Sequence, residues 1–370
     1  MKVLFDHGPL GAHTCFANPV EVLCANRPEE VAPVLARIEA LQAEGYWLAG
    51  MMSYELGYCF SDKLLPLLPE TRRDPLIAFA AYHTPTVTPP LRGAAELTEL
   101  VPRWSQGDHG AAFSRLAEYI RAGDCYQVNL TFPVTGRLTG RPEALYAQMA
   151  QQTPLTYGAF VDFGGVHFVS RSPELFFEVD PARNIRTRPM KGTRPRGEDH
   201  QGDQAQIADL RGSEKDRAEN LMIVDLLRND LSRVSCLGSV KVPDLFTVET
   251  YPTVHQMVST VEARLQPGAG FSQIVEALFP CGSITGAPKI RAMQIIRELE
   301  PWARGLYCGT IGWIGPQGNM AFNVAIRTLR CEAGAVTLNV GGGIVYDSRA
   351  EAEYEEALWK SRYAGPVLRT

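Results

Sequence analysis

No run of apolar residues in this 370-residue chain approaches the length needed to span a bilayer. The start, Met1-Lys2-Val3-Leu4-Phe5-Asp6-His7, has no long apolar stretch of the signal-peptide kind. No membrane partner is expected, and the expected location is the cytoplasm. Excess positive charge is missing too, since 36 Lys and Arg stand against 41 Asp and Glu for a formal net charge of -5. Affinity for a phosphate backbone is carried mainly by surplus Lys and Arg, so no nucleic-acid partner is expected. The eight cysteines include no Cys-x-x-Cys pair and no histidine nearby at zinc-finger spacing. Scattered singly, they read as small buried apolar residues of a reducing compartment. Gly-x-Ser-x-Gly is absent, and Pro280-Cys281-Gly282-Ser283-Ile284-Thr285-Gly286-Ala287-Pro288-Lys289 lacks the spacing of a nucleotide phosphate loop. There is no internal repeat or low-complexity tract. What remains is an ordinary globular composition, 45% hydrophobic and 21% charged, with enough chain for a large core.

Hydrophobic periodicity predicts a helix from Pro28 to Glu44 and a buried strand within Tyr46–Tyr54. The proline-rich stretch from Thr84 to Gly93 is expected to be irregular. It divides the chain into an N-terminal subdomain, residues 1–105, contributing to the sheet core, and a second region, residues 106–370. Phe113, Leu116, Ala117 and Ile120 give Ala111–Arg121 an amphipathic helix that Gly123 ends. A strand follows through Asp124–Pro133, in which Tyr126, Val128, Leu130 and Phe132 alternate with Gln127, Asn129 and Thr131. The end of the chain reads as a meander: Gly309 to Ile314, Met320 to Arg330, then Val336 to Tyr346. In its middle strand Arg327 shares a face with Asn323 and Ala325 and can project into a site. A helix from about Ala350 to Tyr363 closes the chain.

The segment most suggestive of chemistry is Arg188-Pro189-Met190-Lys191-Gly192-Thr193-Arg194-Pro195-Arg196. Its prolines restrict the backbone, Gly192 clears space beside Lys191, and three arginines supply positive charge expected to lower the lysine pKa toward a nucleophilic amine. A solvated basic turn is the other reading. Two helices each carry an acid pair at i, i+3, Asp216 with Glu219 and Glu353 with Glu356. Carboxylates from two helices form the oxygen site that Mg²⁺ prefers, while ordinary exposed helix faces are the alternative. Asn339-Val340-Gly341-Gly342-Gly343-Ile344 is either a bulged strand or a place where backbone N–H groups approach an anion. His255 alone reads as a buried core histidine.

In this order, Asp124-Cys125-Tyr126-Gln127-Val128-Asn129-Leu130, Arg171-Ser172-Pro173-Glu174, Pro189-Met190-Lys191-Gly192-Thr193, Leu221–Leu231, Gly282–Lys289, Ala321–Thr328 and Gly341–Val345 resemble the chorismate-utilising enzymes. That family includes the large subunits of anthranilate and aminodeoxychorismate synthases, with the isochorismate and salicylate synthases. The resemblance implies an α/β (α+β) fold of the anthranilate synthase component I type, two packed, mostly antiparallel sheets flanked by helices with the site between them. Isochorismate and salicylate synthases have a water-activating lysine where this chain has Gln127, and an amide cannot be that base. Anthranilate synthases usually have alanine where this chain has Lys191, and aminodeoxychorismate synthases have the lysine. The implied reaction is attack by Lys191 on C2 of chorismate with loss of the C4 hydroxyl, then addition of ammonia at C4 to give 4-amino-4-deoxychorismate, a precursor of para-aminobenzoate and folate. Glu174 matches the general acid, and Glu219 and Glu356 match ligands of an Mg²⁺ cofactor, with Asp216 and Glu353 acting through water. Arg327, Lys360, Gly342 and Gly343 match the groups that hold chorismate's carboxylates. Ser283, Thr310 and His255 match pocket positions. Ammonia is expected from a separate glutamine amidotransferase subunit. Anthranilate formation is the alternative reaction, and an inactive scaffold binding chorismate or the glutaminase is the non-enzymatic one.

Overall fold

The computed structural model describes residues 1–152, 155–251 and 254–364. The last six residues of the region expected to run to 370 lie outside it. Two antiparallel sheets of ten strands each form the body. The first runs Gly286–Ala287, Gln127–Gly140, Ala335–Ile344, Thr328–Glu332, Val166–Ser170, Ala159–Phe163, Lys2–Gly8, Gly11–Phe16 and Thr86–Val87, with Ala95–Pro102 also pairing Gln127–Gly140. The second runs Met190–Pro195, Val254–Arg264, Asn184–Arg188, Leu175–Val179, Met320–Asn323, Thr310–Ile314, Trp47–Met52, Ile77–Tyr82 and Glu21–Ala25, with Lys241–Thr250 also on Val254–Arg264. This is the two-sheet architecture implied by the motifs.

The sheets meet through a buried cluster drawn from both. Val3, Phe5, Phe16, Val161 and Phe168 come from the first, and Ala49, Met51, Ala78, Ala80, Tyr82 and Ile311 from the second. Side chains alternate along a strand, so Leu48, Met52, Ile77 and Phe79 turn the other way, into the larger core under the helices. Burial on both faces explains why Ile77–Tyr82 is apolar throughout. In Gln127–Gly140 it also hides the polar side of the predicted alternation, with Gln127, Asn129 and Thr131 all buried.

Three sequence expectations change. The helix predicted from Ala111 begins at Gln106, because Ser105 and Asp108 close a capping box on each other's backbone N–H at 3.2 and 3.0 Å. Strand Thr86–Val87 forms within the proline-rich stretch, where irregular chain was expected, and strand Ala95–Pro102 follows it. The open sides of Gly11–Phe16 and Gln127–Gly140 supply the hydrogen-bonding partners. The third change matters most for function. Met320–Arg330 is not one strand: Met320–Asn323 belongs to the second sheet and Thr328–Glu332 to the first, with residues 324–327 crossing between them. Arg327 sits in the crossing at φ 48, a left-handed conformation uncommon outside glycine.

Phe322 anchors that crossing. Its buried ring stacks on Phe177 at 4.9 Å and Phe271 at 5.4 Å. Gly312 leaves the necessary room, since a Cβ there would lie 2.2 Å from Phe322 Cδ1. Phe322→Ala is expected to cost about 3–5 kcal/mol of unfolding free energy in urea titration. A loss below about 1 kcal/mol would mean that the cluster does not depend on this ring.

Candidate active site

A second crossing, residues 171–174, leaves Val166–Ser170 in the first sheet and enters Leu175–Val179 in the second. It runs beside the first crossing, with Ser170 opposite Thr328 and Leu175 opposite Asn323. The two are tied by Arg171 N–H to Arg327 O at 2.9 Å, Val324 N–H to Glu174 O at 3.0 Å, and Ser172 Oγ to Val324 O at 2.6 Å. Glu174 and Arg327 therefore stand on paired segments at the seam. Both line a cavity of about 770 Å³, together with Lys191, Ser283, Asp216, Glu219, Gly342, Gly343, Glu353, Glu356 and Lys360.

Lys191 owes its direction to a β-bulge. Pairing passes from Met190 with Val258 to Thr193 with Gln256, one residue more on the Lys191 strand than on its neighbour. Gly192 takes φ +89, and a Cβ there would sit 3.0 Å from both Asp216 Cβ and Leu210 Cδ1, so the bulge and the approach of the Asp216 helix both require glycine. Burial lowers the Lys191 pKa, opposed by Glu219, Glu174 and Glu356 and assisted by Lys360. The arginines expected to do this are engaged elsewhere: Arg188 pairs with Glu249, Arg194 with Asp209 and Asp216, and Arg196 with Asp203. The amine makes no ion pair or hydrogen bond recorded among the described residues. Gln127 is its neighbour across Gly343, where an added Cβ would lie 2.9 Å from Gln127 Nε2 and 3.2 Å from Lys191 Nζ. Gln127 is fully buried, with neither amide atom partnered among the described residues.

Glu174 is 4% exposed, and one of its carboxyl oxygens has no partner among the described residues. Burial pushes its pKa up to about 7, offset in part by Ser283, Lys191, the Met190 backbone and Arg327. It can thus hold a proton near neutral pH. The two acid pairs do share the cavity. Asp216 and Glu219 stand on Glu214–Ser232, which Ser213 caps through the Asp216 N–H at 3.2 Å; Glu353 and Glu356 stand on Ala350–Lys360. Each carboxylate has its own partner: Arg194 for Asp216 at 2.9 Å, Lys215 for Glu219 at 3.9 Å, Ser348 for Glu353 at 2.6 Å and Lys360 for Glu356 at 2.7 Å. Burial raises Glu219 and Glu353, with like-charge repulsion adding to both. Burial also acts to raise Glu356, but Lys360, Lys215 and Lys191 outweigh it and hold it low. No group of three or more His, Cys, Asp or Glu among the described residues forms a ready metal cluster. The donor set is nevertheless all oxygen, the chemistry that suits a hard cation.

Two expected pocket residues point elsewhere. His255 is fully buried, with Nε2 2.9 Å from Asp203 and Nδ1 2.9 Å from Thr250. Its neighbour Gln256 lines the cavity, as alternation along a strand requires. Thr310 is buried in its strand, where its hydroxyl donates to Asn323 O at 2.5 Å. Sequence reasoning missed Gln256, Arg194, Tyr307 and Asn339, all on the cavity wall. For Gln256 the usable signal was its parity with buried Val258, opposite Met190 on the Lys191 strand.

The profile of the chorismate binding enzymes matches residues 83–364, and the chain belongs to that family. Over 252 residues it is 48% identical to aminodeoxychorismate synthase component 1 of Escherichia coli, covering 68% of this chain and 55% of that protein. It is 44% identical over 245 residues to an anthranilate synthase component 1 of Haloarcula marismortui, covering 66% and 50%. The chain spans about half the length of the curated relatives it matches. Among solved structures, anthranilate synthase component I of Streptococcus pneumoniae superposes with a TM-score of 0.81 at 24% identity, over 98% of this chain and 92% of that one.

Carboxyl-labelled NMR is expected to show Glu174 titrating at about 7, with the signal absent in Glu174→Gln. A midpoint near the ordinary 4.5 would show that its burial is incomplete in solution.

Proposed function

We propose that this chain converts chorismate and ammonia to 4-amino-4-deoxychorismate. The observation that carries the reading is a lysine amine without an ion pair among the described residues and a carboxyl whose raised pKa lets it carry a proton near neutral pH, both in one cavity. Similarity to aminodeoxychorismate synthase component 1 from several bacteria supports it. Lys191 attacks C2 of chorismate and loses a proton. The ring double bonds shift, and the C4 hydroxyl leaves as water on taking the Glu174 proton. Ammonia then adds at C4 and gives a proton back to Glu174, the double bonds shift back, and the Lys191 nitrogen regains the proton it lost as it is expelled from C2. Chorismate and ammonia give product and water, with the enzyme regenerated. Glu174 has the right character for the first step, since a carboxylic acid with a pKa of about 7 keeps a substantial protonated fraction near neutral pH, where an ordinary carboxyl is almost wholly ionised.

Arg327, Lys360 and the backbone at Gly342 and Gly343 would hold the substrate's carboxylates, the arginine through two parallel hydrogen bonds. Glu219 and Glu356 would ligate Mg²⁺, with Asp216 and Glu353 reaching it through water. When bound, the ion neutralises a substrate carboxylate and fixes its position. Gln127, an amide, offers a hydrogen bond but no base, which disfavours activation of water beside C2. Ammonia would be supplied by a glutamine amidotransferase subunit, and the product would lead to para-aminobenzoate and folate in the cytoplasm. A second reading, formation of anthranilate, draws on the relatives named anthranilate synthase component 1. It differs in releasing pyruvate.

Incubation with chorismate and Mg²⁺, without ammonia, is expected to add a chorismate-derived mass at Lys191, absent in Lys191→Ala. No adduct in enzyme that turns over once ammonium is added would exclude covalent catalysis. Pyruvate released from chorismate and ammonium without an added lyase would favour anthranilate.

A further inference from the structure

The loop that carries Ser283 holds a buried group that the reaction above does not use. Residues 279–288 join helix Phe271–Leu278 to helix Lys289–Leu299, and Lys289 draws the two ends together by donating to Leu278 O at 2.9 Å and to Asp230 at 2.6 Å. Within the loop Gly282–Ile284 forms a 3₁₀ turn, fastened where Thr285 Oγ1 donates to Cys281 O at 3.1 Å. The loop also joins the first sheet, with Gly286 opposite Val128. On this fixed frame the side chains of Cys281 and Ser283 meet, Sγ lying 3.3 Å from Oγ. Ser283 in turn hydrogen-bonds to the Glu174 carboxyl. All three side chains are more than nine-tenths buried. Ser283 and Glu174 line the active-site cavity, and Cys281 is not among the residues that do.

Once Glu174 is ionised, the hydrogens of this row have one favoured order. A hydroxyl has a single hydrogen, and a bond to an anion is about twice as strong as one between neutral groups, so Ser283 donates to the carboxylate. Its oxygen is left to accept, and the donor beside it is the thiol. Burial, with the Glu174 charge next, pushes the Cys281 thiol up to about 12, so it keeps its S–H throughout the neutral range. The charged groups facing Glu174 are Lys191 from the bulged strand and Arg327 from the paired crossing, and both favour the carboxylate, as do Ser283 and the Met190 backbone. In the reaction proposed above, Lys191 is bonded to C2 and has lost a proton when that carboxylate forms, so the neutral donors carry more of the task. The Glu174 oxygen without a partner among the described residues is left for the departing hydroxyl.

We infer that Cys281 is a positioning residue for the general acid: its S–H holds the Ser283 hydroxyl so that the hydroxyl's own hydrogen points at the carboxylate Glu174 becomes as the C4 hydroxyl leaves. The inference rests on the reaction proposed above. The test is the Glu174 titration midpoint, read by carboxyl-labelled NMR in substrate-free enzyme, together with the pH dependence of kcat for chorismate and ammonium. Cys281→Ala is expected to raise the midpoint by about half a pH unit, because a weakened bond to the charged form disfavours that form. The pH at which kcat falls as Glu174 loses its proton is expected to rise by the same amount, and the plateau below it to drop, since the acid is weaker. Cys281→Ser keeps a donor and is expected to restore both wild-type values. Cys281→Val, which has no donor, takes the place of the alanine variant if that one does not fold. A wild-type midpoint in the folded alanine or valine variant overturns the inference and leaves the reaction standing. So does a Cys281→Ser midpoint displaced as far as that of Cys281→Ala, which assigns the effect to packing. A wild-type enzyme that makes no product from chorismate and ammonium overturns the reaction and, with it, the acid that Cys281 would serve.

Discussion

Side by side, residues 171–174 and 324–327 carry the chain between sheets, and each supplies the hydrogen bonds the other lacks. A segment leaving a sheet gives up its ladder partners, and a buried backbone group without a partner costs roughly 1–3 kcal/mol. Arg171 N–H, Val324 N–H and the Val324 carbonyl all find partners in the opposite crossing. Neither could run there alone. The pairing places Glu174 and Arg327 at the seam, where the interior opens into a cavity instead of continuing as packed core. The Phe322 stack holds one end of the seam, and Thr328 Oγ1 donating to Ser170 Oγ at 2.9 Å holds the other.

Much of the fold and site is legible in short strings of sequence. Helix Pro28–Ala43 follows from periodicity, strand Trp47–Met52 from an unbroken apolar run buried on both faces, and the two acid-bearing helices from acid pairs at i, i+3. Lys191, Glu174 and the four carboxylates fall on one cavity as their motifs imply. What periodicity could not reveal is where a strand changes sheet. Met320–Arg330 alternates as one strand would, but the crossing that ends at Arg327 depends on hydrogen bonds to Arg171, Ser172 and Glu174, far away in the chain. His255, given a pocket position by the resemblance alone, is instead the buried, satisfied histidine that its own surroundings in sequence suggested, and Gln256 faces the cavity. A one-residue error of parity reverses every side chain of a strand, and only the pairing with Met190–Pro195 fixes which residue looks inward.

The arginines around Lys191 show why local composition misleads about electrostatics. Their proximity in sequence suggested that they depress its pKa, yet each ends in an ion pair on the flank of the strand. The depression comes first from burial, which outweighs the pull of three carboxylates. Those carboxylates are restrained in turn by other cations. Lys215 stands 3.9 Å from Glu219 and Lys360 2.7 Å from Glu356.

That division keeps an amine of lowered pKa compatible with so many acids. A direct contact between Lys191 and one carboxylate at about 4 Å would favour the ammonium by about 4 kcal/mol at an effective dielectric of ~20, roughly a thousandfold bias against the nucleophilic form. The glycine-rich strand helps to prevent it. Successive residues face opposite ways, so Gly343 turns toward Lys191 and Gln127, whereas Gly342 turns toward Glu353, Lys360 and Glu356. A methyl group at Gly343 would crowd the amine and amide, and one at Gly342 would crowd the acid-bearing helix. Two adjacent glycines thus let an amine and a set of carboxylates border the same cavity from opposite sides of one strand. A substrate lying across that strand can meet both chemistries while the amine stays free of a direct ion pair.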